Sequence, residues 1–391
     1  MSALTINCGF IPLVDCAPLV VAREMGFAQE EGLALDLHKQ PSWSALRDHL
    51  ALGALDAAHM LSPVPVAMSL GLGGLPTRID ALMVLSVNGN VVGVSPELAQ
   101  RMRDEGWPGG FGDPSGTGGY LIAATGRRLR VGVPFPFSMH AELLYHWLGA
   151  LGMRAPDELD VRTVPPPLMA EAMAEGEIDA FCVGEPWGST AVERGVGELI
   201  LPGAAIWAFA PEKVLAVRHD WAEAHDEATG RLMRAVARAA RWLAEWDNRM
   251  MAGELLARRE YLDLPPDIID RALMGRLITT GGAFAGESDN FLHFYRKAAT
   301  FPWRSQAAWI AANLAKRTGL DRVASIETGR ACFRPDLYRR HLDGLGFDMP
   351  GASDKLEGSL NHAEAVASAS GNMILGPDAF FDGTVFDPHA R

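Results

Sequence analysis

The chain has 391 residues, a formal net charge of −13, 48% hydrophobic residues and 21% charged residues. This length exceeds what one small core needs and predicts two domains, or one large domain with an elaborated end, with the composition of an ordinary soluble globular protein. The acidic balance argues against direct contact with RNA or DNA, because phosphate contacts need a basic surface. It leaves room for a small anion, which needs only a local group of donors.

Two features bear on the compartment. The four cysteines show neither a CxxC pair nor zinc-ligand spacing, which favours free buried thiols in a reducing compartment; they are Cys8, Cys16, Cys182 and Cys332. The first ten residues enter a strand pattern at once, without the basic and apolar regions of a signal peptide, and no run is long enough to span a bilayer. Provided that no segment has been removed from the N-terminus, we expect a cytoplasmic protein that does not engage a membrane.

The first ninety residues alternate between strands and helices. We predict strands over residues 4–11, 33–38, 56–60 and 81–94, and helices over residues 15–25, 42–50 and 63–72. Asp15 is predicted to cap the first helix, which ends at Gly26. The last strand is interrupted by Asn88-Gly89-Asn90. This alternation predicts an α/β domain with a largely parallel sheet.

Residues 107–119 are rich in glycine and proline and predict a mobile surface loop. The segment Gly110-Phe-Gly112 lacks the third glycine of a dinucleotide-binding fingerprint, and no P-loop occurs in the chain. Both observations argue against a nucleotide-binding protein.

A second α/β unit follows, and the chain then becomes helical. We predict strands over residues 129–133, 161–164, 179–183, 198–201 and 213–217, and helices beginning at Ser138 and Pro165. Further helices are predicted over residues 227–246, 266–277, 289–299 and 306–318, and the last 40 residues are poorly periodic and should wrap the surface. Two α/β lobes with a helical C-terminal portion predict a binding protein with a cleft between the lobes. We place lobe I at residues 1–90 and 205–391 and lobe II at residues 91–204.

The stretch from Asp179 to Trp187 predicts a buried strand that passes through Gly184 into a helix start at Pro186. Such a turn directs free N–H groups and the positive end of a helix dipole at one place, which suits an anion. Turns of this kind are also common in α/β proteins without any ligand.

Polar donors recur at other predicted element ends, and each has a plain structural alternative. Trp43 lies at a predicted helix start but could equally be a buried core residue. Asn90 interrupts a predicted strand but could simply form a turn. His140 lies in a capped first turn and could be an ordinary core histidine, while Lys213 could be a solvated charge. Taken one at a time, these residues favour the structural reading.

Signs of an enzyme are weak. No G-x-S-x-G elbow and no metal-ligand spacing of histidines occur, and carboxylate pairs such as Glu30-Glu31 lie in polar segments. His49 and His59 fall on either side of a predicted helix–strand turn and read as structural. The sequence therefore predicts a binding protein without catalytic residues.

Several segments together resemble the nitrate- and bicarbonate-binding proteins of ABC importers. They run in order from about residue 4 to residue 310 and include Gly9-Phe-Ile-Pro-Leu-Val-Asp-Cys-Ala-Pro-Leu19, Ser42-Trp-Ser-Ala-Leu-Arg-Asp48, Leu55-Asp-Ala-Ala-His-Met-Leu61, Val87-Asn-Gly-Asn90, Val164-Pro-Pro-Pro167, Phe181-Cys-Val-Gly-Glu-Pro-Trp187 and Pro211-Glu-Lys213. The resemblance implies a two-lobed, type II periplasmic-binding-protein fold with the anion in the cleft between the lobes.

The resemblance also implies a ligand set. Trp43 would donate its indole N–H, and Asn90 would supply an amide where the family has glutamine. His140 would contribute from a helix start, Gly184 would donate through its backbone from the lobe opposite Trp43 and Asn90, and Lys213 would supply the compensating charge. Lysine at that position resembles the nitrate binders, whereas the bicarbonate binders carry an acidic residue and a calcium ion. The implied ligand is nitrate or nitrite, with no cofactor and no metal.

One departure from the family refines the expected role. The importer proteins are exported or fused to an ATPase, and this chain shows neither feature, so it is similar to the cytoplasmic nitrate/nitrite sensors of the NasS family. In that family the sensor holds a NasT-like antitermination regulator, which carries an RNA-binding ANTAR domain, and releases it when the anion binds. The resemblance thus implies control of nitrate-assimilation genes through a protein partner, without direct contact to nucleic acid.

Two alternatives stay open. The chain could be the binding protein of an ABC importer without its signal peptide, or an enzyme of the thiamine-precursor type, which shares a similar two-lobed fold. The enzyme would need a reactive residue in the cleft, for which Cys182 and His140 are the candidates.

Overall fold

Two mixed β-sheets flanked by helices organise the molecule. The structure is a computed structural model that describes residues 3–126, 128–280, 282–288 and 290–390. Its strands are β1 (Leu4–Phe10), β2 (Leu33–Lys39), β3 (Ala57–Leu61), β4 (Ile79–Asn88), β5 (Asn90–Val94), β6 (Leu129–Val133), β7 (Leu159–Thr163), β8 (Ala180–Gly184), β9 (Glu198–Pro202), β10 (Pro211–Arg218), β11 (Arg276–Thr280), β12 (Ala283–Glu287), β13 (Leu292–His293), β14 (Glu364–Ser368) and β15 (Gly371–Leu375).

Helices cover both sheets. They are α1 (Ala17–Glu24), α2 (Phe27–Glu30), α3 (Trp43–Ala51), α4 (Pro63–Ser69), α5 (Pro96–Asp104), α6 (Pro114–Ala124), α7 (Met139–Ala150), α8 (Met169–Ala174), α9 (Trp187–Glu193), α10 (His219–Ala224), α11 (Asp226–Trp242), α12 (Trp246–Leu256), α13 (Pro266–Met274), α14 (Arg304–Thr318), α15 (Arg322–Arg330) and α16 (Pro335–Leu342). Short 3-10 helices lie at Val14–Cys16, Pro166–Leu168, Gly203–Ala205 and Arg296–Ala298. Within the described ranges, no helix is long and apolar enough to cross a bilayer.

The first sheet has six strands in the order β13-β4-β10-β3-β1-β2, and the second has five in the order β7-β6-β8-β5-β9. We call the parts of the molecule built on them lobe I and lobe II. In lobe I, β1 runs parallel to β2 and β3, and in lobe II, β6 runs parallel to β7 and β8. The predicted α/β class is confirmed.

The sheets are less parallel than the sequence predicted, because the chain passes between them twice. It leaves lobe I after β4 to enter β5, and it returns after β9 to enter β10. Strands β5 and β10 both run antiparallel to their neighbours. The strands of the first sheet come from residues 4–88, 211–218 and 292–293, and those of the second from residues 90–202. The exact lobe boundaries stay a prediction.

The first crossing lies at the predicted interruption near Asn90. Asn88 and Gly89 both have left-handed backbone conformations, with φ of 62° and 92°, which breaks the strand. The Asn88 side chain then ties the two crossings together, because its Nδ2 donates to Ala208 O at 2.9 Å and its Oδ1 accepts from Ala210 N at 3.0 Å. One asparagine therefore joins the outgoing and the returning segment.

Several predicted elements differ from the structure. The expected loop over residues 107–119 extends only to residue 113. Helix α6 follows, because Asp113 caps it by accepting from Gly116 N at 3.0 Å and Pro114 begins its first turn. The helix predicted over residues 266–277 ends at Gly275, which adopts φ of 66°, and the one over residues 227–246 ends at Trp242, with α12 beginning only at Trp246.

The helix predicted over residues 289–299 is wrong. Residue 289 lies outside the described residues, and Leu292 and His293 form β13, which pairs with the open edge of β4. The final 40 residues are partly ordered against the core. They form the β14–β15 hairpin, and Phe380 is buried against the ring of Trp207, with 4.7 Å between ring centroids.

Candidate functional site

The five residues predicted to bind a ligand lie together where the chain passes between the lobes. Trp43 and His140 are in the first turns of α3 and α7. Asn90 begins β5, Gly184 ends β8, and Lys213 lies in β10. The side chains are withdrawn from solvent, with residue exposures of 1% for the tryptophan, the asparagine and the histidine and 0% for the lysine.

Local sequence signals place two of these side chains. Ser42 caps α3 by accepting a hydrogen bond from the backbone N–H three residues on, at 3.2 Å, and so fixes Trp43 in the first turn. Ser138 does the same for α7, also at 3.2 Å, and places His140. A cap makes the first turn a defined geometry, because it satisfies a backbone donor that the helix leaves unpaired.

Lys213 lies between two carboxylates. Its Nζ is 2.8 Å from Asp15 Oδ2 and 2.9 Å from Glu212 Oε1, and it sits over the Trp43 ring at 5.5 Å from the centroid. Burial alone would lower the pKa of Lys213, but the two carboxylates outweigh it and raise that pKa above its usual value. The lysine is therefore charged, and its charge is already balanced within the protein, which the sequence did not predict.

Asp15 does not cap the first helix. Helix α1 begins two residues later, and the Asp15 carboxylate instead binds Lys213 and lies 2.8 Å from His59 Nε2. Burial opposes ionisation of Asp15, yet the lysine and the histidine hold its pKa well below the usual range. The partner of this carboxylate is thus the buried lysine and not a helix end.

Glu212 joins the two lobes. It lies on β10 of lobe I, and its Oε2 accepts a hydrogen bond from Asn90 Nδ2 of lobe II at 2.6 Å. Its Oε1 is 3.2 Å from His140 Nδ1. Burial raises the pKa of Glu212 above its usual value, against the opposing effect of Lys213.

The two histidines of the cluster are held neutral. Burial lowers the pKa of His59, although Asp15 acts in the opposite direction, and burial together with Lys213 lowers that of His140 well below its usual value. His59 also packs on Trp43, with 5.6 Å between ring centroids. His59 is thus part of the cluster.

Gly184 and Asn90 are direct cross-strand partners in the lobe II sheet. The expectation that they face each other from opposite lobes is therefore wrong; a strand break directly before Asn90 moves it into the second sheet. A Cβ atom on Gly184 would lie 2.8 Å from Leu13 Cδ2, 3.7 Å from His140 Nε2 and 3.8 Å from Asp15 Oδ2. Glycine at this position therefore lets the end of β8 approach these three groups closely, because a side chain would collide with Leu13.

Seven buried polar atoms of the cluster have no hydrogen-bond partner among the described residues. They are the Oδ1 of Asp15, the Nε1 of Trp43, the Oδ1 of Asn90 and both ring nitrogens of His59 and of His140. The ion-pair contacts of both histidines also fall outside hydrogen-bond geometry. An unsatisfied buried polar group costs about 1–3 kcal/mol. Several of them around one lysine mark a site for a small polar ligand.

Further contacts hold the lobes together beside the cluster. The Trp187 indole donates to Pro12 O at 2.7 Å, and Val14 N donates to Glu185 O at 3.0 Å. Farther out, Arg317 on α14 forms a two-bonded ion pair with the buried Glu142 on α7. The lobes are closed on each other in this structure.

One residue in the turn after β8 and one residue within β8 have clear local environments. The Glu185 carboxylate accepts from the backbone N–H of Ser189 at 3.2 Å and so satisfies the start of α9. Burial raises the pKa of the Cys182 thiol well above its usual value, with a further contribution from Glu212. A protonated thiol is a poor nucleophile, which argues against Cys182 as a catalytic residue.

The sequence missed three members of the cluster, namely Asp15, His59 and Glu212. A signal for Glu212 exists in retrospect: it directly precedes Lys213 in a strand that is buried over seven of its eight residues. Adjacent charged residues in a buried strand need partners. The sequence gives no such signal for Asp15, because an aspartate before a helix is equally typical of a helix cap.

Comparison with known proteins places this arrangement in a family. The sequence profile of the NMT1-like family matches residues 3–257, more than half of the 391 residues. The chain is 31% identical to the nitrate import ATP-binding protein NrtC of Synechocystis sp. PCC 6803, in an alignment that covers 100% of this chain and 54% of NrtC. It is 30% identical to the nitrate/nitrite binding protein NrtA of Synechococcus elongatus PCC 7942, covering 98% of this chain and 83% of NrtA.

A solved structure agrees with the fold. The crystal structure of the periplasmic nitrate-binding protein NrtA from Synechocystis PCC 6803 superimposes with a TM-score of 0.84 at 27% identity, covering 99% of this chain and 96% of that chain. The two-lobed α/β periplasmic-binding-protein fold is thereby confirmed. The chain spans about half of NrtC and most of NrtA.

Proposed function

This chain belongs to the NMT1-like family of NrtA-type substrate-binding proteins, and from that membership we propose that it binds nitrate and nitrite at the cluster around Lys213. The main support for this proposal is the indole N–H of Trp43. It is a buried donor without a partner among the described residues, and it lies beside a charged lysine. The names of the relatives, which are nitrate and nitrite proteins, support the choice of anion.

The chemistry of the cluster suits a planar monoanion with two or three oxygens. Such an anion needs donors from several directions and a nearby positive charge, because an unpaired buried anion is heavily penalised. Trp43 offers a donor from lobe I and His140 a ring nitrogen from lobe II. At an effective dielectric of about 20, an ammonium about 4 Å from the anion contributes on the order of 4 kcal/mol before desolvation.

Calorimetry with nitrate, nitrite, chloride and bicarbonate tests the proposal. We expect binding heat with nitrate and with nitrite. The proposal would be refuted if neither of these anions gave heat while bicarbonate did. Trp43→Phe removes one donor to a charged ligand and should weaken nitrate binding about ten- to a hundredfold, corresponding to about 1.5–3 kcal/mol. Trp303→Phe is the matched control, because Trp303 is also buried with its Nε1 unpaired in the described structure but lies outside the cluster.

We further propose that the chain acts in the cytoplasm as a NasS-like sensor, which holds a NasT-like ANTAR-domain regulator and releases it when the anion binds. Two features support this role. The net charge of −13 leaves RNA recognition to the partner. The cluster also takes residues from both lobes, so the anion would favour one lobe arrangement; it shifts that equilibrium only by its differential affinity for the two arrangements.

The alternative role is that of the binding protein of an ABC importer, which the import and periplasmic relatives support. Copurification with an ANTAR-domain regulator separates the two. A sensor should bind the regulator without nitrate and lose it at saturating nitrate. A chain that never binds the regulator, but stimulates nitrate uptake when added to vesicles that contain the transporter, would establish the import role instead.

A further inference from the structure

We propose that the anion enters this site together with one proton, which the pair formed by His140 and Glu212 takes up. The inference rests on the proposed anion-binding function and adds a proton to its stoichiometry. It follows from the hydrogen-bond positions around the pair and from the charges that surround it.

Three nitrogen atoms surround the Glu212 carboxylate. They are Lys213 Nζ at 2.9 Å, Asn90 Nδ2 at 2.6 Å and His140 Nδ1 at 3.2 Å. A neutral imidazole has one N–H and one acceptor nitrogen. When Glu212 is ionised, the favoured tautomer of His140 carries its hydrogen on Nδ1, because a lone pair there would face the negative Oε1 atom 3.2 Å away, even though the contact lies outside hydrogen-bond geometry. The Nε2 atom then carries a lone pair.

That lone pair lies where the anion is proposed to bind. The Nε2 of His140 lies beside Gly184, 3.7 Å from where a Cβ atom on that glycine would be, and it has no hydrogen-bond partner in the described part of the chain. An anion that approaches Nε2 in this state meets a second acceptor. His140 therefore becomes a donor to the anion only after its protonation changes.

One added proton allows His140 Nε2 to donate a hydrogen bond to the anion, and this can happen in two ways. The proton can convert His140 to imidazolium, which donates from both ring nitrogens. Alternatively it can protonate Glu212, whose O–H then donates to Nδ1 while the hydrogen of the neutral ring moves to Nε2. Both forms hold one more proton than the anion-free pair, so the stoichiometry is the same whichever residue carries it.

The charges around the pair lead to the same stoichiometry. The groups that face it are Lys213 on its own strand, Asp15 on the 3-10 turn, His59 behind Asp15, and the thiol of Cys182 on β8. With one ammonium, two carboxylates and neutral histidines, the formal charge of the cluster is −1. A monoanion alone would make it −2 in a buried site, whereas an anion with a proton leaves it unchanged.

Calorimetry in buffers with different heats of ionisation counts the protons directly. At pH 8 the observed heat of nitrate binding should vary with the buffer heat with a slope approaching one proton per anion. Where Glu212 is ionised before binding, the affinity should fall by up to tenfold per pH unit as the pH rises, and the slope should shrink toward pH 5.5.

Glu212→Gln mimics the protonated carboxyl. Its neutral side chain leaves the anion-free cluster with a formal charge of zero, so a bound monoanion brings the charge only to −1 without any added proton. This variant should therefore bind nitrate with a proton slope near zero and little dependence on pH. Glu357→Gln is the control, because Glu357 is also buried beside a lysine, Lys355, at 2.6 Å but lies in the C-terminal segment; it should keep the wild-type slope. A wild-type slope of zero, with the same affinity from pH 5.5 to 8.5, overturns the proton coupling and leaves nitrate binding intact. If wild-type protein gives no heat with nitrate or nitrite, both proposals fail.

Discussion

Replacing Lys213 by methionine removes the charge that holds the cluster together while it keeps the length of the side chain. Two buried carboxylates, Asp15 and Glu212, would then face each other without the ammonium that now lies 2.8 and 2.9 Å away. Removing one partner of a buried ion pair costs about 3–5 kcal/mol. We expect Tm to fall on the order of 5–10 °C, since about 1 kcal/mol corresponds to about 2–4 °C in a domain of 150–250 residues and to less in a longer chain.

Anion binding should suffer in addition to stability. A loss of about 4 kcal/mol of attraction weakens nitrate binding about a thousandfold. Thermal unfolding and calorimetry at pH 7 measure the two effects separately, provided that the titration is done well below Tm.

Lys355→Met is the matched control for this variant. Lys355 is buried over most of its side chain between Glu357, at 2.6 Å, and Asp378, so its loss should destabilise the fold by a similar amount. Nitrate binding should survive in this variant. If Lys213→Met binds nitrate within threefold of wild type, or if Lys355→Met loses binding to the same degree, the assignment of Lys213 to the ligand is refuted.

Three other predictions concern the surroundings of the cluster. Burial raises the pKa of Glu185 from 4.5 to about 7, so the folded state holds this proton more tightly than the unfolded state. The free energy of unfolding should therefore fall by up to about 3 kcal/mol as the pH rises from 4.5 to about 7. In denaturant titrations Glu185→Gln should show this decline reduced; an unchanged pH profile would contradict it. Gly184→Ala places a methyl group 2.8 Å from Leu13 Cδ2 and 3.7 Å from His140 Nε2, so it should displace these groups and weaken nitrate binding at least tenfold in calorimetry. Gly112→Ala, which has open space around it, should not. Arg317→Met unpairs the buried Glu142 between the lobes; we expect a lower Tm, and a larger radius of gyration in X-ray scattering that nitrate reverses, while an unchanged radius and Tm would show that this ion pair does not hold the lobes closed.

Much of the local structure could be predicted because its causes are local. The serine caps at Ser42 and Ser138 and the strand break beside Asn90 depend on residues within a few positions of one another. The five residues predicted to bind the anion were identified through the resemblance to nitrate-binding proteins, and the structure brings them together. Their role in binding stays a prediction that the calorimetry addresses.

Other predictions failed where two structures compete for the same residues. Asp15 has the sequence context of a helix cap, but a buried lysine from a strand nearly two hundred residues later binds its carboxylate instead. Residues 292–293 have the periodicity of a helix, but the open edge of β4 takes them as a strand. In both cases the partner comes from a distant segment, which the local sequence context does not reveal.

The sequence by itself determined which segments become strands and helices in most of the chain, and its resemblance to a family pointed to five candidate ligand residues. Only the tertiary structure decided how these residues are charged and paired. The resemblance implied that Lys213 supplies a positive charge to the anion, yet its ammonium lies between Asp15 and Glu212. Glu212 in turn contacts Asn90 and His140 of the other lobe. The physical reason is that protonation and pairing depend on distances of about 3 Å between segments far apart in the chain, and periodicity and spacing carry no information about those distances.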